Sequence, residues 1–399
     1  GSVLDEAILT LFRSPKSYTT ENMAEFACHG SVFIQNQMMQ LLIRQGARSA
    51  RPGEFTMRAF FNGRIDLAQA EAVADLIASG SKSAHKIAFQ QYRGGVSNEI
   101  KELRLQLTNF LSLLELELDF SEDDVEFADR KKMILLLTEI RNQIKKLIDS
   151  FKLGNSIKSG IPVAIIGKPN VGKSTLLNIL LNEDKAIVSE IPGTTRDSIE
   201  DTMVLEGITF RFIDTAGLRH STDIIENLGI EKTKEKIDKA EIILYLFDIS
   251  ESNVVEMTDA VSDLRKQYPE KSIIVVANKT DKLVEAPKQS GKIVAFDTIF
   301  ISAKRRQNIH LISEKLITLS SDKISDGNEN ILANSRHYEA LYKSQESLMQ
   351  AEQGLHEKLP ADLIASEIRT ALHYLAEITG EVTTEEILEN IFGKFCIGK

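Results

Sequence analysis

The sequence contains no tryptophan, only two cysteines and no apolar run long enough to cross a bilayer, which takes about 20 residues. It therefore predicts no membrane segment. Cys28 and Cys396 stand far apart, a pattern typical of reduced thiols in a cytoplasmic protein rather than of a secreted disulfide framework. The net charge of −10 argues against a broadly basic nucleic-acid surface, although a local basic patch is compatible with it.

The length of 399 residues is sufficient for roughly two or three domains. Residues 1–64 mix short β-like runs with a helical stretch near 31–45, helical periodicity dominates to about residue 150, and strands alternate with helices over 161–320. Helical patterns return after a polar stretch, 322–330, which we interpret as a linker. We predict a doubly wound, mostly parallel α/β domain (159–322) inserted into a helical domain (65–158 and 323–399), preceded by a small α+β N-terminal piece (1–64).

The most informative motif is a glycine-rich stretch with the spacing G-x-x-x-x-G-K-S, from Gly167 to Ser174. It follows an apolar run at 161–166 and precedes a helical run at 175–181, so it links a strand to a helix. Glycines let backbone N–H groups converge on a phosphate, and the helix N-terminus adds partial positive charge. The motif predicts a phosphate-binding loop, for which an ordinary tight turn is the alternative. Its candidate residues are Asn170, Val171, Gly172, Lys173, Ser174 and Thr175.

Three later motifs follow in the order that a guanine-nucleotide site requires. Asp214-Thr215-Ala216-Gly217 follows a β-like run and offers a carboxylate toward Mg²⁺ and an N–H toward a γ-phosphate. Asn278-Lys279-Thr280-Asp281 ends another strand, and the Asp281 carboxylate can accept from a pair of guanine donors that adenine lacks. Ser302-Ala303-Lys304 fits a loop that closes over the base. An isolated N-K-x-D is more often a surface turn, but the joint order specifies a GTPase rather than an ATPase.

The residue after the D-x-x-G motif is Leu218, where small Ras-like GTPases carry a glutamine that orients the attacking water. Either hydrolysis is slow or another residue takes this role. Arg219 and Glu226 lie in the polar segment that follows, and spacing alone favours a solvated carboxylate for Glu226. The candidate first switch is the segment 187–197, in which a threonine hydroxyl can complete Mg²⁺ coordination. Arg196 in this segment is an arginine finger or, more simply, an ion-pair partner.

These motifs together resemble the MnmE (TrmE) family of tRNA modification GTPases. The matching stretches include Asn170, 193–197 (GTTRD), 214–219 (DTAGLR) and 51–56 (RPGEFT). The G motifs are common to many GTPases, so the specific features are 66–72 (DLAQAEA) and the terminal FCIGK at 395–399. The resemblance covers essentially the whole chain, and it implies that the first part of the family's N-terminal domain is absent.

The resemblance implies a folate-binding, dimerising N-terminal domain, a helical domain and an inserted Ras-like G domain. It implies a cytoplasmic homodimer whose GTP hydrolysis depends on potassium and on G-domain pairing. With the FAD-containing partner MnmG (GidA), such a protein adds an aminomethyl-type or carboxymethylaminomethyl group to carbon 5 of the wobble uridine of certain tRNAs. A tetrahydrofolate derivative, with 5-formyltetrahydrofolate as the ligand, supplies the one-carbon unit.

Carried over motif by motif, the resemblance also implies roles for individual residues. By this resemblance, Mg²⁺ is bound by Ser174 and Thr195, and K⁺ by Asn170, Ser189, Ile191 and Thr194. GTP contacts fall to the candidates above, together with Ser189, Thr194, Thr195, Asp214, Thr215, Ala216, Gly217, Asn278, Lys279, Asp281, Ser302, Ala303 and Lys304. The catalytic candidates are Glu226, acting on the water indirectly, Arg219 and Cys396, and the folate contacts are Glu25, Arg64 and Lys399. The family often has lysine where Arg64 stands, which changes the donor geometry.

Two other function classes share part of this pattern. A GTP-switch assembly factor without modification chemistry would carry the same G motifs, but the 396–399 tail and the folate-like N-terminal piece favour the modifying enzyme. A P-loop kinase conflicts with a guanine-reading Asp281.

Overall fold

The computed structural model describes residues 3–119, 130–183, 201–213, 229–251, 254–283, 290–293, 296–324, 331–393, 395 and 398. Contacts divide the chain into two compact units. The first, called the helical unit below, contains Gly1–Ala78, Ala88–Asp149 and Asn334–Lys399, and the second, called the sheet unit, contains Ser79–Ile87 and Ser150–Ala333.

Strands alternate with helices between residues 161 and 320, and the helical stretch predicted near 31–45 is present. The strands are β1 (Ile8–Phe12), β2 (Met23–Ala27), β3 (Ile161–Ile166), β4 (Asp201–Leu205), β5 (Ile208–Phe212), β6 (Ile242–Asp248), β7 (Ser272–Asn278), β8 (Ser290–Ile293) and β9 (Phe296–Phe300). The helices are α1 (Val32–Arg44), α2 (Glu54–Phe61), α3 (Leu67–Ala78), α4 (Lys82–Tyr92), α5 (Gly95–Asp119), α6 (Arg130–Ser159), α7 (Lys173–Glu183), α8 (Gly229–Lys239), α9 (Val254–Gln267), α10 (His310–Ile324), α11 (Ser335–Glu357), α12 (Ala361–Thr379) and α13 (Glu385–Phe392).

The sheet unit is built on seven strands in the order β4-β5-β3-β6-β7-β9-β8. The five central strands are parallel, and the edge strands β4 and β8 run antiparallel to their neighbours. All six residues of β3 are buried, as expected for a strand covered on both faces. Side chains alternate between the faces, so Val163 packs with Leu176 of α7 and Leu316 of α10, whereas Ala164 packs with Ile237 of α8. This is a doubly wound arrangement.

The helical unit holds an antiparallel pair, β1 and β2, with Ile8 opposite Ala27. In the same unit α12 packs against α11 and α5. Apolar residues recur at helical spacing on α5 and are buried at Leu103, Leu107, Phe110 and Leu114. A smaller core joins α2 and α3 to the C-terminal residues Phe392 and Phe395.

The predicted fold class is confirmed, with one local correction. The linker predicted at 322–330 does not begin at residue 322, because α10 continues to Ile324. The helix-breaking Gly327 comes only later, so nothing in the sequence stops the helix at residue 322. Among the described residues, no helix combines the length and apolar character that crossing a membrane requires.

Candidate functional site

The glycine-rich loop joins the end of β3 to the start of α7 and closes on its own lysine. Lys173 Nζ donates to the carbonyl oxygens of Gly167 at 2.8 Å and Lys168 at 2.9 Å. A side chain at Gly167 would clash with the Leu246 carbonyl oxygen, and one at Gly172 would clash with Asn278 Nδ2. Gly167 is therefore required for the close approach of two backbone segments and Gly172 for the close approach of the Asn278 side chain, and the loop forms a cradle that a Cβ atom would fill.

The first turn of α7 follows directly on this loop. Lys173, Ser174 and Thr175 form that turn, so a cation, a hydroxyl and the positive end of a helix dipole lie together. Such an arrangement suits a phosphate chain. The hydroxyl of Ser174 is a hard oxygen of the kind that Mg²⁺ prefers. Asn170 lies in the same loop, is exposed, and adopts the left-handed conformation at φ 59°.

A second loop lies at the carboxyl end of β7 and is tied to the first by Asn278. This side chain is 2% exposed; its Nδ2 donates to the Val171 carbonyl oxygen at 2.7 Å, and its Oδ1 accepts from Ala303 N at 2.9 Å. One amide thus joins the phosphate loop, the 278–281 loop and the loop after β9. The carboxyl ends of parallel strands are where open α/β sheets bind ligands.

Asp281 is held in place by the third loop. Its Oδ1 accepts from Ser302 Oγ at 2.6 Å, and Ser302 is fully buried. That hydrogen bond is the main reason why the pKa of Asp281 lies below its usual value. The carboxylate is therefore ionised near neutral pH and can accept from a pair of N–H donors. The motif residues 278–281 and 302–303 are brought together as predicted from sequence, while Lys304 is exposed beside them.

Several predicted site residues lie outside the described residues. They are Ser189, Ile191, Thr194, Thr195, Asp214, Thr215, Ala216, Gly217, Arg219, Glu226, Cys396 and Lys399. Their roles therefore stay predictions. Among the residues that the structure does describe, no group of three or more His, Cys, Asp and Glu side chains could hold a metal ion.

Two predicted folate contacts lie in the helical unit. Glu25 is exposed on β2, opposite Thr10 of β1. Arg64 follows α2, donates to the Ser17 carbonyl oxygen and lies with its guanidinium 5.8 Å from the centre of the Tyr18 ring. Phe395, one residue before Cys396, is buried in the core formed by α2 and α3. The C-terminal chain therefore returns to the helix that precedes Arg64.

A cavity of about 310 Å³ lies beside β2 and is lined by Glu54 and two arginines. Arg48 and Arg58 both donate to Glu54 Oε1, at 2.6 Å and 2.7 Å, and Arg51 N donates to Oε2 at 2.9 Å. These hydrogen bonds, the one from Arg48 foremost, hold the pKa of Glu54 far below its usual range. The 51–56 motif of the sequence thus contains a buried carboxylate, that of Glu54, whose two oxygens both accept hydrogen bonds.

Two groups of polar residues escaped the sequence analysis. Asp248 ends β6 and pairs with Lys279, and Glu71 of α3 contacts Arg336 and His337 at the start of α11. The position of Asp248 at the end of an apolar strand was a usable signal. The Glu71 contacts span more than 260 residues of sequence, and no local pattern could have indicated them.

Comparison with known proteins finds related sequences along the whole chain. Residues 67–396 match the family model described as the MnmE helical domain, and residues 1–64 match that of the GTP-binding protein TrmE N-terminus. The chain is 52% identical over 399 residues to the tRNA modification GTPase MnmE of Flavobacterium psychrophilum, with 100% of this chain and 86% of the relative covered. It is 51% identical, with the same coverage, to the tRNA modification GTPase MnmE of Cytophaga hutchinsonii. A solved GTP-binding protein from Sulfolobus solfataricus, in complex with GDP, is 19% identical over 55% of this chain and 67% of that chain, with a TM-score of 0.28.

Proposed function

The chain belongs to the MnmE (TrmE) family of tRNA modification GTPases, and from that premise we propose a potassium-stimulated GTP hydrolase that modifies carbon 5 of the wobble uridine. In this proposal it acts in the cytoplasm as a homodimer, on certain tRNAs and together with an FAD-containing partner, MnmG. A tetrahydrofolate derivative donates the one-carbon unit. The observation that carries the proposal is the Asn278 side chain. It joins the phosphate loop, residues 167–174, to the base-reading loop, residues 278–281.

GTP is the substrate, and each loop has its own part in binding it. The backbone N–H groups of 170–175 and the Lys173 ammonium bind the β- and γ-phosphates. Asp281 reads the guanine edge, Lys279 lies beside the base, and Ser302, Ala303 and Lys304 close over it. Support comes from the contacts of Asn278 and from the ionised state of Asp281.

Two cations assist hydrolysis in this proposal. Ser174 and Thr195 hold Mg²⁺, while Asn170, Ser189, Ile191 and Thr194 surround K⁺. A monovalent cation at the phosphates supplies positive charge that offsets developing negative charge, as an arginine finger does. The exposed amide of Asn170 in the loop fits this use, since amide oxygens are suitable ligands for hard cations. Glu226 and Arg219 act on the attacking water in place of the glutamine that Leu218 replaces.

The folate site belongs to the helical unit, with Glu25, Arg64 and Lys399 as contacts and Cys396 as the thiol that modification requires. The packing of Phe395 against α2 and α3 supports it, because Phe395 directly precedes Cys396 in the sequence and shares a core with Ile65, the neighbour of Arg64.

Asp281→Asn tests the base-reading loop. The substituted amide presents a donor where guanine also has one, so GTP affinity should fall by about 1–3 kcal/mol, while xanthosine triphosphate should bind better than it does to the wild type. Titration of each nucleotide against the wild type and the variant measures this change in nucleotide preference. Asp297→Asn, an exposed change on β9, is the matched control and should leave both affinities unchanged. Unchanged GTP affinity in Asp281→Asn would remove this residue from the base pocket.

The modification itself is tested by mass spectrometry of tRNA nucleosides from a strain that lacks the gene. Loss of the carbon-5 group on wobble uridine, restored by the wild-type gene, is the expected result. An unchanged nucleoside profile would instead favour a GTP-switch assembly factor.

A further inference from the structure

A buried carboxylate lies one strand away from the base-reading loop. Asp248 is the last residue of β6 and stands opposite Asn278 in the parallel register of β6 and β7. The main chain continues this pairing, because Ile249 N donates to the Asn278 carbonyl oxygen at 3.1 Å. The Asp248 side chain is only 5% exposed, so its charge needs partners within the protein.

Asp248 uses its two oxygens differently. Oδ2 forms an ion pair with Lys279 Nζ at 2.7 Å. Oδ1 accepts from Ser250 N at 2.9 Å and from Ser250 Oγ at 2.6 Å, which fixes the carboxylate plane. Lys282 Nζ is 3.7 Å from Oδ2 but is 46% exposed, and it also lies 3.4 Å from Glu251, an exposed surface residue. The ion pair of Asp248 that is both short and shielded from solvent is therefore the one with Lys279.

Lys279 has unusual constraints of its own. It adopts the left-handed conformation at φ 66°, at the start of a short 3₁₀ turn, 280–282, and only 25% of its side chain is exposed. A lysine side chain is flexible, so fixing it costs rotamer entropy. The ion pair with Asp248 fixes the side chain before a nucleotide arrives.

We propose that Asp248 is a positioning residue for guanine-nucleotide binding and acts through Lys279. It orders the lysine stem and neutralises the ammonium, so that the stem can pack against an uncharged base without a further loss of freedom. The inference rests on the proposed place of Lys279 beside the base. It adds a residue outside the N-K-x-D motif to the determinants of affinity for GDP and GTP.

Binding of a fluorescent GDP analogue and GTP turnover test the inference in the full chain. Asp248→Asn should weaken GDP binding about tenfold, the scale of one hydrogen bond to a charged group. Turnover at saturating GTP should stay within about twofold, because Lys279 belongs to the base side of the site and not to the phosphates. Glu251→Gln, which breaks the surface pair with Lys282, is the matched control and should bind GDP like the wild type.

A double-mutant cycle separates positioning from general damage. Lys279→Met should also weaken GDP binding, and adding Asp248→Asn to it should cause no further loss. Ser250→Ala removes one of the bonds to Oδ1 and should give a smaller loss than Asp248→Asn. It keeps the test open if Asp248→Asn fails to fold.

The outcomes distinguish this inference from the function on which it rests. The inference would be overturned if the losses of GDP-binding free energy from Asp248→Asn and Lys279→Met added in full in the double variant. It would also be overturned if Asp248→Asn bound GDP like the wild type while Lys279→Met bound it weakly. If Lys279→Met itself binds GDP normally, the proposed place of Lys279 is wrong and the inference falls with it. In an Asp248→Asn that does not fold, a Ser250→Ala that binds GDP like the wild type would also overturn it.

Discussion

Asn278 joins three loops of the nucleotide site with one amide group. The donor and the acceptor of its side chain are both used, toward Val171 and Ala303. Neither hydroxyl nor carboxylate can supply a donor and an acceptor at this separation. The sequence motif placed Asn278 in the site, but its role as a bridge depends on loops that are more than 100 residues apart and could be seen only in the structure.

Glu71 is a largely buried carboxylate with partners from another helix. Arg336 donates to both of its oxygens, at 2.9 Å and 2.8 Å, and His337 Nε2 lies 2.7 Å from Oε2. Arg336 also donates to the carbonyl oxygens of Glu377 and Ile378 near the end of α12. The cluster therefore fastens α3, α11 and α12 together. It gives a physical reason for a glutamate within the 66–72 motif.

Glu71→Gln should lower the free energy of unfolding by about 3 kcal/mol, because it removes the carboxylate that faces the Arg336 guanidinium and the buried His337 ring. Denaturant unfolding measures the loss. Glu339→Gln, an exposed change on the same helix as Arg336, should stay within about 0.5 kcal/mol of the wild type. A Glu71 variant as stable as the Glu339 variant would mean that the cluster contributes nothing to stability.

The same residue predicts a pH dependence. Burial acts to raise the pKa of Glu71, but contacts with His337 and Arg336 outweigh it and hold this pKa far below its usual range. Because the folded state binds the proton more weakly, the stability from Glu71 is complete above the unfolded pKa, declines below it, and is gone once the pH has fallen through the folded pKa. Between about pH 5 and pH 3 the wild type should lose stability more steeply than Glu71→Gln. Parallel pH profiles would contradict this assignment.

At the scale of elements, α3 shows how a short motif specifies a helix. Asp66 N donates to Gln69 Oε1 at 2.9 Å, and Gln69 N donates to Asp66 Oδ1 at 3.0 Å, a reciprocal capping box. Leu67, Ala68, Ala70 and Ala72 are buried. The start of α3 could therefore be read from the sequence. Its partners could not, because an apolar helix face does not identify the distant helix that it packs against.

For Gly154 in α6, we expect the effect of an alanine substitution on stability to be the opposite of what helix propensity predicts. Alanine is favoured over glycine in a helix by about 1 kcal/mol, yet a Cβ here would clash with the Leu332 carbonyl oxygen. We expect Gly154→Ala to destabilise the protein by about 2 kcal/mol, as an overpacked core does. Thermal unfolding measures this. Gly80→Ala, where a Cβ meets nothing within 4 Å, is the control, and a Gly154 variant that melts at or above the wild-type temperature would refute the close approach.

At the scale of the whole molecule, the sequence predicted an inserted α/β domain because strand and helix patterns alternate only between two helical stretches. The sheet unit also takes in 79–87 and 150–160, which are helical or connecting segments. Sequence periodicity could not assign them, since a helix looks the same whichever core it joins. α6, for example, runs without interruption from one unit into the other.

The separation of the proposed chemistries is tested by two variants. Cys396→Ser should leave GTP turnover near wild type and abolish tRNA modification, because the tail belongs to the helical unit and the phosphate loop to the sheet unit. Glu226→Ala should slow hydrolysis by about 10²–10³-fold if it acts on the attacking water. Turnover assays with tRNA nucleoside analysis compare them. Equal loss of GTP turnover in both variants would show that the tail acts on GTP hydrolysis directly.

The most direct test of the proposed potassium-stimulated hydrolase is GTP turnover in K⁺ against Na⁺ at equal ionic strength. Turnover in K⁺ should be at least about tenfold faster, since the cation takes the part of an arginine finger. Asn170→Gly keeps the left-handed backbone at φ 59° without strain, so it should bind GTP normally but lose most of the stimulation. Equal turnover of the wild type in K⁺ and Na⁺ would contradict the account.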